Sequence, residues 1–138
     1  MTASPRLTDT DFERLADFRY ALRRFLFFSE EAAAKEGLTP QQHQALLVVR
    51  GNTAGYTSIG TLARRLCLKH HTVVELVQRL ENAGFITKQT SPEDRRSVIL
   101  DLTDEGQNRL DRLGLNHREE LRHIGPEIIK RFSKLSAS

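Results

Sequence analysis

The chain has 138 residues, 28% of them charged and 38% apolar, which suits one globular domain around a single hydrophobic core. A net charge of +3 favours a polyanionic partner without requiring one, and a single cysteine excludes an intramolecular disulfide framework. The longest apolar run, Phe25-Leu26-Phe27-Phe28, is far short of the ~20 residues that cross a bilayer, and Met1-Thr2-Ala3-Ser4-Pro5 lacks the pattern of a secretion signal, so the expected location is the cytoplasm.

Thr10-x-x-Glu13 has the form of a capping box, and apolar residues recur after it at Phe12, Leu15, Ala16, Phe18, Leu22, Phe25 and Leu26. This spacing predicts one long helix from Asp11 to Lys35, stopped at Gly37. Thr39-Pro40-Gln41-Gln42 is a second start signal, with Thr as cap, Pro in the first turn and Gln at the third position. That helix ends at Gly51, and a loop runs to Gly55. Ser58 caps a short helix from Ile59 to Leu66, and Cys67-Leu68-Lys69 interrupts it. The next helix, His70 to Ala83, is expected to bury Val73, Val74, Leu76, Val77 and Leu80 and to stop at Gly84. Two helices joined by so short a turn form a helix–turn–helix.

The period then changes. Phe85 to Thr90 and Ser97 to Leu102 read as strands, joined through Ser91 to Arg96 as a β-hairpin. Val98, Leu100 and Leu102 share one strand face and are expected to pack on the helices. Thr103-Asp104-Glu105 opens another long helix, with acidic residues suited to its first turn and apolar positions at Leu110, Leu113, Leu121 and Ile124. Gly125-Pro126 is expected to break it and leave a short last helix from Glu127 to Leu135. The expected fold is mainly α with a small β-hairpin wing (α+β).

Residues 1–56 balance seven basic against seven acidic side chains. From Thr61 to Arg96 seven basic residues (Arg64, Arg65, Lys69, Arg79, Lys88, Arg95, Arg96) face four acidic ones. A helix–turn–helix followed by a charged hairpin suits duplex DNA, because the second helix fits the major groove and meets a distinct donor and acceptor pattern at each base pair. The side chains that this geometry aims at base edges are Lys69, His70, His71, Thr72 and Glu75. Arg79, further along, is placed to meet phosphate. Arg95 and Arg96 at the hairpin tip suit the narrow, electronegative minor groove.

Leu62-Ala63-Arg64-Arg65-Leu66, the stretch Val77 to Ile86, and Asp94-Arg95-Arg96-Ser97-Val98-Ile99-Leu100-Asp101-Leu102-Thr103-Asp104-Glu105-Gly106 resemble the MarR family of bacterial regulators. The wing stretch, Asp and Arg ahead of Leu-x-Leu-Thr-x-x-Gly, is the most specific part. The resemblance implies a winged helix–turn–helix fold, a single domain over 1–138 and a homodimer. Helices 8–35 and 107–135 would interleave in that dimer, and a lobe over 39–103 would bind DNA. It further implies a palindromic operator, repression, and release from DNA by a small aromatic or anionic effector. By the same analogy Asp94 braces Arg96. Many relatives carry a basic residue where Glu75 stands, so the bases read are not carried over.

Other readings remain beside this one. A winged helix can serve protein contacts alone, or a ligand or redox sensor can lack specific DNA binding. Cys67, His70 and His71 lack the four-ligand spacing of structural zinc, and no metal or cofactor is expected. Cys67 reads better as a small buried apolar residue than as a redox centre, and with no base or oxyanion motif beside it no enzymatic activity is expected. Phe12, Phe18, Phe25, Phe27 and Phe28 cover more of one helix than a single stripe, which favours burial against a second subunit. His43, Arg50 and Tyr56 are the polar side chains proposed for an effector pocket.

Overall fold

The computed structural model describes residues 6–136, so the opening Met1 to Pro5 lies outside the described residues. Helices α1 (Asp9–Lys35) and α2 (Pro40–Gly51) come first. Strand β1 (Thr57–Ser58) precedes the helix–turn–helix pair α3 (Ile59–Leu66) and α4 (His70–Asn82). The strands β2 (Ile86–Thr90) and β3 (Val98–Leu102) form the wing, and α5 (Asp104–Ser136) closes the order. None of these helices is long and apolar enough to cross a membrane.

Helix α1 starts earlier than expected. Thr8, not Thr10, is its cap: the Asp11 N–H donates to Thr8 Oγ1 at 3.3 Å and the Thr8 N–H donates to Asp11 Oδ2 at 2.8 Å. The outer box places Asp9 and Asp11 in the first turn, where the helix dipole favours acids. The Thr8 backbone and hydroxyl bonds hold the Asp11 carboxyl below its ordinary value. The second box forms where the sequence placed it. Thr39 Oγ1 accepts from the Gln42 N–H at 3.1 Å and Gln42 Oε1 from the Thr39 N–H at 3.0 Å.

Ser58 caps α3 through the Thr61 N–H at 3.1 Å. The helix ends at Cys67, which adopts the left-handed conformation (φ 55°), while the Leu68 N–H reaches back to the Ala63 carbonyl at 3.0 Å. Cys67 is therefore exposed, not the buried apolar residue expected. Leu68, packed on the core, is the apolar anchor of this turn.

Val73, Leu76, Val77 and Leu80 of α4 are buried as expected, but Val74 is 42% exposed. At ~100° per residue it falls beside the buried stripe and not on it. Gly84, with φ +84°, turns the chain into β2.

The sheet order is β1-β3-β2, all antiparallel. β1 was not foreseen, since two residues show no alternation. Its pairing makes β3 the central strand, with Thr57 opposite Leu100 and Ser58 opposite Ile99. Ile99 is consequently buried along with Leu100, while Val98 and Leu102 are only partly so.

Helix α5 runs unbroken through Gly125-Pro126, against the expected break. An interior proline costs ~3 kcal/mol relative to alanine, yet the segments on both sides are anchored. Ile124 is buried before it. Beyond it Phe132 meets Phe18 of α1 at 5.7 Å between ring centres and Arg131 pairs with Asp17 at 3.3 Å. Leu121, one of the apolar positions read along this helix, is exposed.

The core lies between α2, α3, α4, the sheet and the first turns of α5, around Leu46, Leu62, Val77, Leu80, Leu100 and Leu113. Two residues seal α5 to it. Thr103 Oγ1 donates to the Gly84 carbonyl at 2.6 Å and accepts from the Gly106 N–H at 3.1 Å. A Cβ on Gly106 would lie 2.2 Å from the Phe85 carbonyl oxygen, so only glycine fits there without a shift.

Candidate nucleic-acid interface

The buried face of α4 is fixed by Val73, Leu76, Val77 and Leu80, and this alone determines what the other side presents. Lys69 takes the cap position without capping, so its side chain stays free of the helix end. Lys69, His70, His71, Glu75 and Arg79 are exposed, and Thr72 is half-buried at the edge of the stripe. The structure thus gathers the predicted α4 residues on one surface. Glu75 and Arg79 form no ion pair, although an i,i+4 spacing would permit one.

The polar bonds of α4 lie elsewhere. Gln78 Nε2 donates to Asn82 Oδ1 at 3.0 Å and to Glu81 Oε1 at 3.4 Å, while Lys88 Nζ of β2 donates to Gln78 Oε1 at 2.9 Å. Lys88 also pairs with Glu81 at 3.4 Å. This network ties the outer face of α4 to the first wing strand, and sequence reasoning missed it. The signal available was a lysine on the strand that follows a Gln-x-x-Glu helix face, which is too common to single out.

The wing tip is held by short polar side chains. The Ser91 N–H donates to the Ser97 carbonyl at 2.9 Å, and the Ser97 N–H to the Asp94 carbonyl at 3.0 Å. Asp94 Oδ1 accepts from the Arg96 N–H at 3.0 Å and Oδ2 from the Ser97 hydroxyl at 3.3 Å. Ser91 Oγ accepts from the Glu93 and Asp94 N–H groups at 3.3 and 3.4 Å. Asp94 therefore braces Arg96 through its backbone, and the two serines were not foreseen as part of the brace. Among the described residues the Arg95 and Arg96 guanidinium groups have no ion-pair or hydrogen-bond partner, and both side chains are exposed. A hydrogen-bonded tip presenting two unpaired cations is suited to an electronegative groove.

The proposed effector residues do not come together in this way. His43 is 3% exposed, its ring 5.0 Å from that of His117. The Nδ1–H of His117 donates to the Leu113 carbonyl at 2.7 Å, and Nε2 shares a hydrogen bond with Ser29 Oγ at 2.8 Å. Phe25 and Phe28 meet the His117 ring edge-on. Burial, with His117 second, lowers the His43 imidazole to about 4. Arg50 lies in a cleft of about 280 Å³ lined also by Val49, Asp101, Leu102, Thr103, Asp104 and Gln107, which includes neither His43 nor Tyr56. Tyr56 is 65% exposed in the loop before β1. The phenylalanines divide likewise: Phe25 and Phe28 turn inward to His117, whereas Phe12 and Phe27 are exposed.

Residues 36–97 match the MarR family. The chain is 32% identical over 99 residues to YcgE, an uncharacterized HTH-type transcriptional regulator of Bacillus subtilis, across 70% of this chain and 63% of that protein. It thus spans less than two thirds of that relative. Among solved structures it is similar to AbsC, a MarR family transcriptional regulator from Streptomyces coelicolor (TM-score 0.78, 20% identity, 95% of this chain and 92% of that one). A MepR mutant of S. aureus bound to an oligodeoxyribonucleotide shares the fold as well (TM-score 0.68, 15% identity, 96% and 98% covered).

Proposed function

The chain belongs to the MarR family, and on that premise we propose that it is a sequence-specific regulator of transcription that binds a palindromic DNA site as a homodimer. In this reading α4 enters the major groove with Lys69, His70, His71, Thr72, Glu75 and Arg79. The wing, set by Asp94, carries Arg95 and Arg96 to the adjacent minor groove. The single domain divides into dimerisation helices over 8–35 and 107–135 and a DNA-binding lobe over 39–103. The protein acts in the cytoplasm as a repressor released by a small aromatic or anionic effector, and it catalyses no reaction. Arg50, exposed beside its cleft, is the contact this reading offers to an anionic group. His43, buried against His117, has a packing role.

The observation that carries the reading is the pairing of an exposed α4 surface, free of internal ion pairs at Glu75 and Arg79, with a braced wing tip whose two guanidinium groups are unpartnered. A module for protein contacts alone has no need of this arrangement. The test is a salt titration of binding to duplexes taken from the region upstream of its own gene. Each phosphate neutralised contributes a slope of about −0.9 in log affinity against log salt. A steep slope together with preference for one duplex supports the proposal. Binding that is absent, or indifferent to salt and sequence, rejects it.

A further inference from the structure

The lobe from Thr57 to Gly106 hides its large apolar side chains with one exception. Among the described residues, the exposed large hydrophobics lie at Leu7, on α1, on α2, at Tyr56 and on α5, except for Val74. The core of the lobe does not claim Val74, although it takes Val73, Leu76 and Val77, which lie together to one side of it round the helix. Its helical neighbours on the open side are His70, His71 and Gln78, and the Gln78 amide is already committed to Lys88, Asn82 and Glu81. Val74 therefore presents two methyl groups to solvent amid polar side chains. β-branching holds them in one strongly preferred helical rotamer.

We propose that Val74 is a specificity-determining residue whose methyl groups pack on the C5 methyl of a thymine in the major groove. The proposal rests on the reading of α4 as the helix that enters that groove. Thymine is the natural base to meet, because its methyl is the one apolar feature on the major-groove edges of the four bases. A stiff, branched, exposed side chain on the groove side loses little freedom by being covered. It gains from the contact only where a methyl stands opposite. The committed Gln78 amide, one turn on, cannot swing across to supply a polar alternative.

The experiment removes the contact from either side in turn, the one methyl of a thymine or the two of Val74. A duplex is selected from a random pool with the wild-type protein, and each thymine in turn is replaced by deoxyuridine, which differs from thymidine only by that methyl. Affinities of wild type and Val74→Ala are compared at one salt concentration. The expected result is one thymine per half-site at which deoxyuridine weakens wild-type binding about fourfold, as loss of one buried methyl implies, and leaves Val74→Ala unchanged. Alanine is the stronger helix former, so the variant keeps the helix. Val74→Gln, which removes the branch without shortening the side chain, should lose the same dependence. If every thymine methyl matters equally to wild type and both variants, the contact belongs to another side chain such as Thr72, and the proposal fails while the DNA-binding reading stands. If no duplex is selected, the reading beneath it fails too.

Discussion

Glu75 lies on the outward side of α4 without an ion pair, and a carboxylate near DNA is repelled by phosphates unless it meets a donor. In the major groove that donor is cytosine N4 or adenine N6. Glu75→Ala should therefore relax discrimination at one operator position, at a cost of roughly 1–3 kcal/mol against the preferred pair. Affinities for single-base variants at fixed salt check this, and uniform tightening without loss of discrimination would reject base reading. Arg96 and Lys69 should behave differently from it and from each other. Arg96→Ala is expected to weaken binding most at sites with a narrow minor groove, and Lys69→Ala to weaken specific and random DNA alike. At this scale Lys69, Glu75, Arg79, Arg95 and Arg96, singled out from the sequence, are all exposed, as charge requires. Sequence reasoning misplaced Val74 and Cys67, since an apolar residue type does not tell which side of a helix or turn it occupies.

Helix starts were legible because a cap is written in a few adjacent residues. Thr39-Pro40-Gln41-Gln42 and Ser58 specify their helices locally, whereas the Thr10 box read from the sequence gave way to one at Thr8, two residues earlier. The helix–turn–helix and the wing were likewise legible from a change of period. What was not legible depended on distant partners: β1 exists because β3 pairs with it, and α5 continues past Pro126 because Ile124 is buried before it and α1 holds Arg131 and Phe132 after it. The proline remains a local cost, so Pro126→Ala should raise stability by up to about 3 kcal/mol in a thermal melt. An unchanged or lower midpoint would mean that the helix has adapted to it. Gly106→Ala is the opposite case. Its Cβ would meet the Phe85 carbonyl oxygen, a backbone atom, and a loss of about 1–3 kcal/mol or more is expected. An alanine variant as stable as wild type would show that α5 is not seated against β2.

Across the whole molecule, the α1, α2 and α5 helices converge on the His43–His117 pair. The His43 imidazole is lowered to about 4 in the folded chain, chiefly by burial, against about 6.5 when unfolded. The unfolded chain thus binds the extra proton first as pH falls. The stabilisation is fully present above about pH 6.5 and is lost progressively down to about pH 4, by roughly 3 kcal/mol in all. Denaturant melts between pH 7.5 and 4.5 should show this decline in wild type and a shallower one in His43→Gln. The exposed Phe12, Leu15, Tyr20, Phe27, Leu115, Ile129 and Phe132 lie on α1 and α5, far more apolar surface than a monomer needs to show. Light scattering at micromolar concentration should give the mass of a dimer, with an interface above ~2,000 Å². The unbroken α5 has a mechanical meaning for such a dimer. Its 33 residues make a strut ~50 Å long. One end is sunk in the core through Leu110 and Leu113 and the other is clasped to α1. A tilt of only ~4° about the far end carries the near end through ~3.5 Å, close to one base-pair step of ~3.4 Å. A joint at Pro126 would absorb such a tilt. A stiff lever passes it on, so in the proposed dimer small adjustments at the far end of α5 would shift the two α4 helices by a whole step of the double helix.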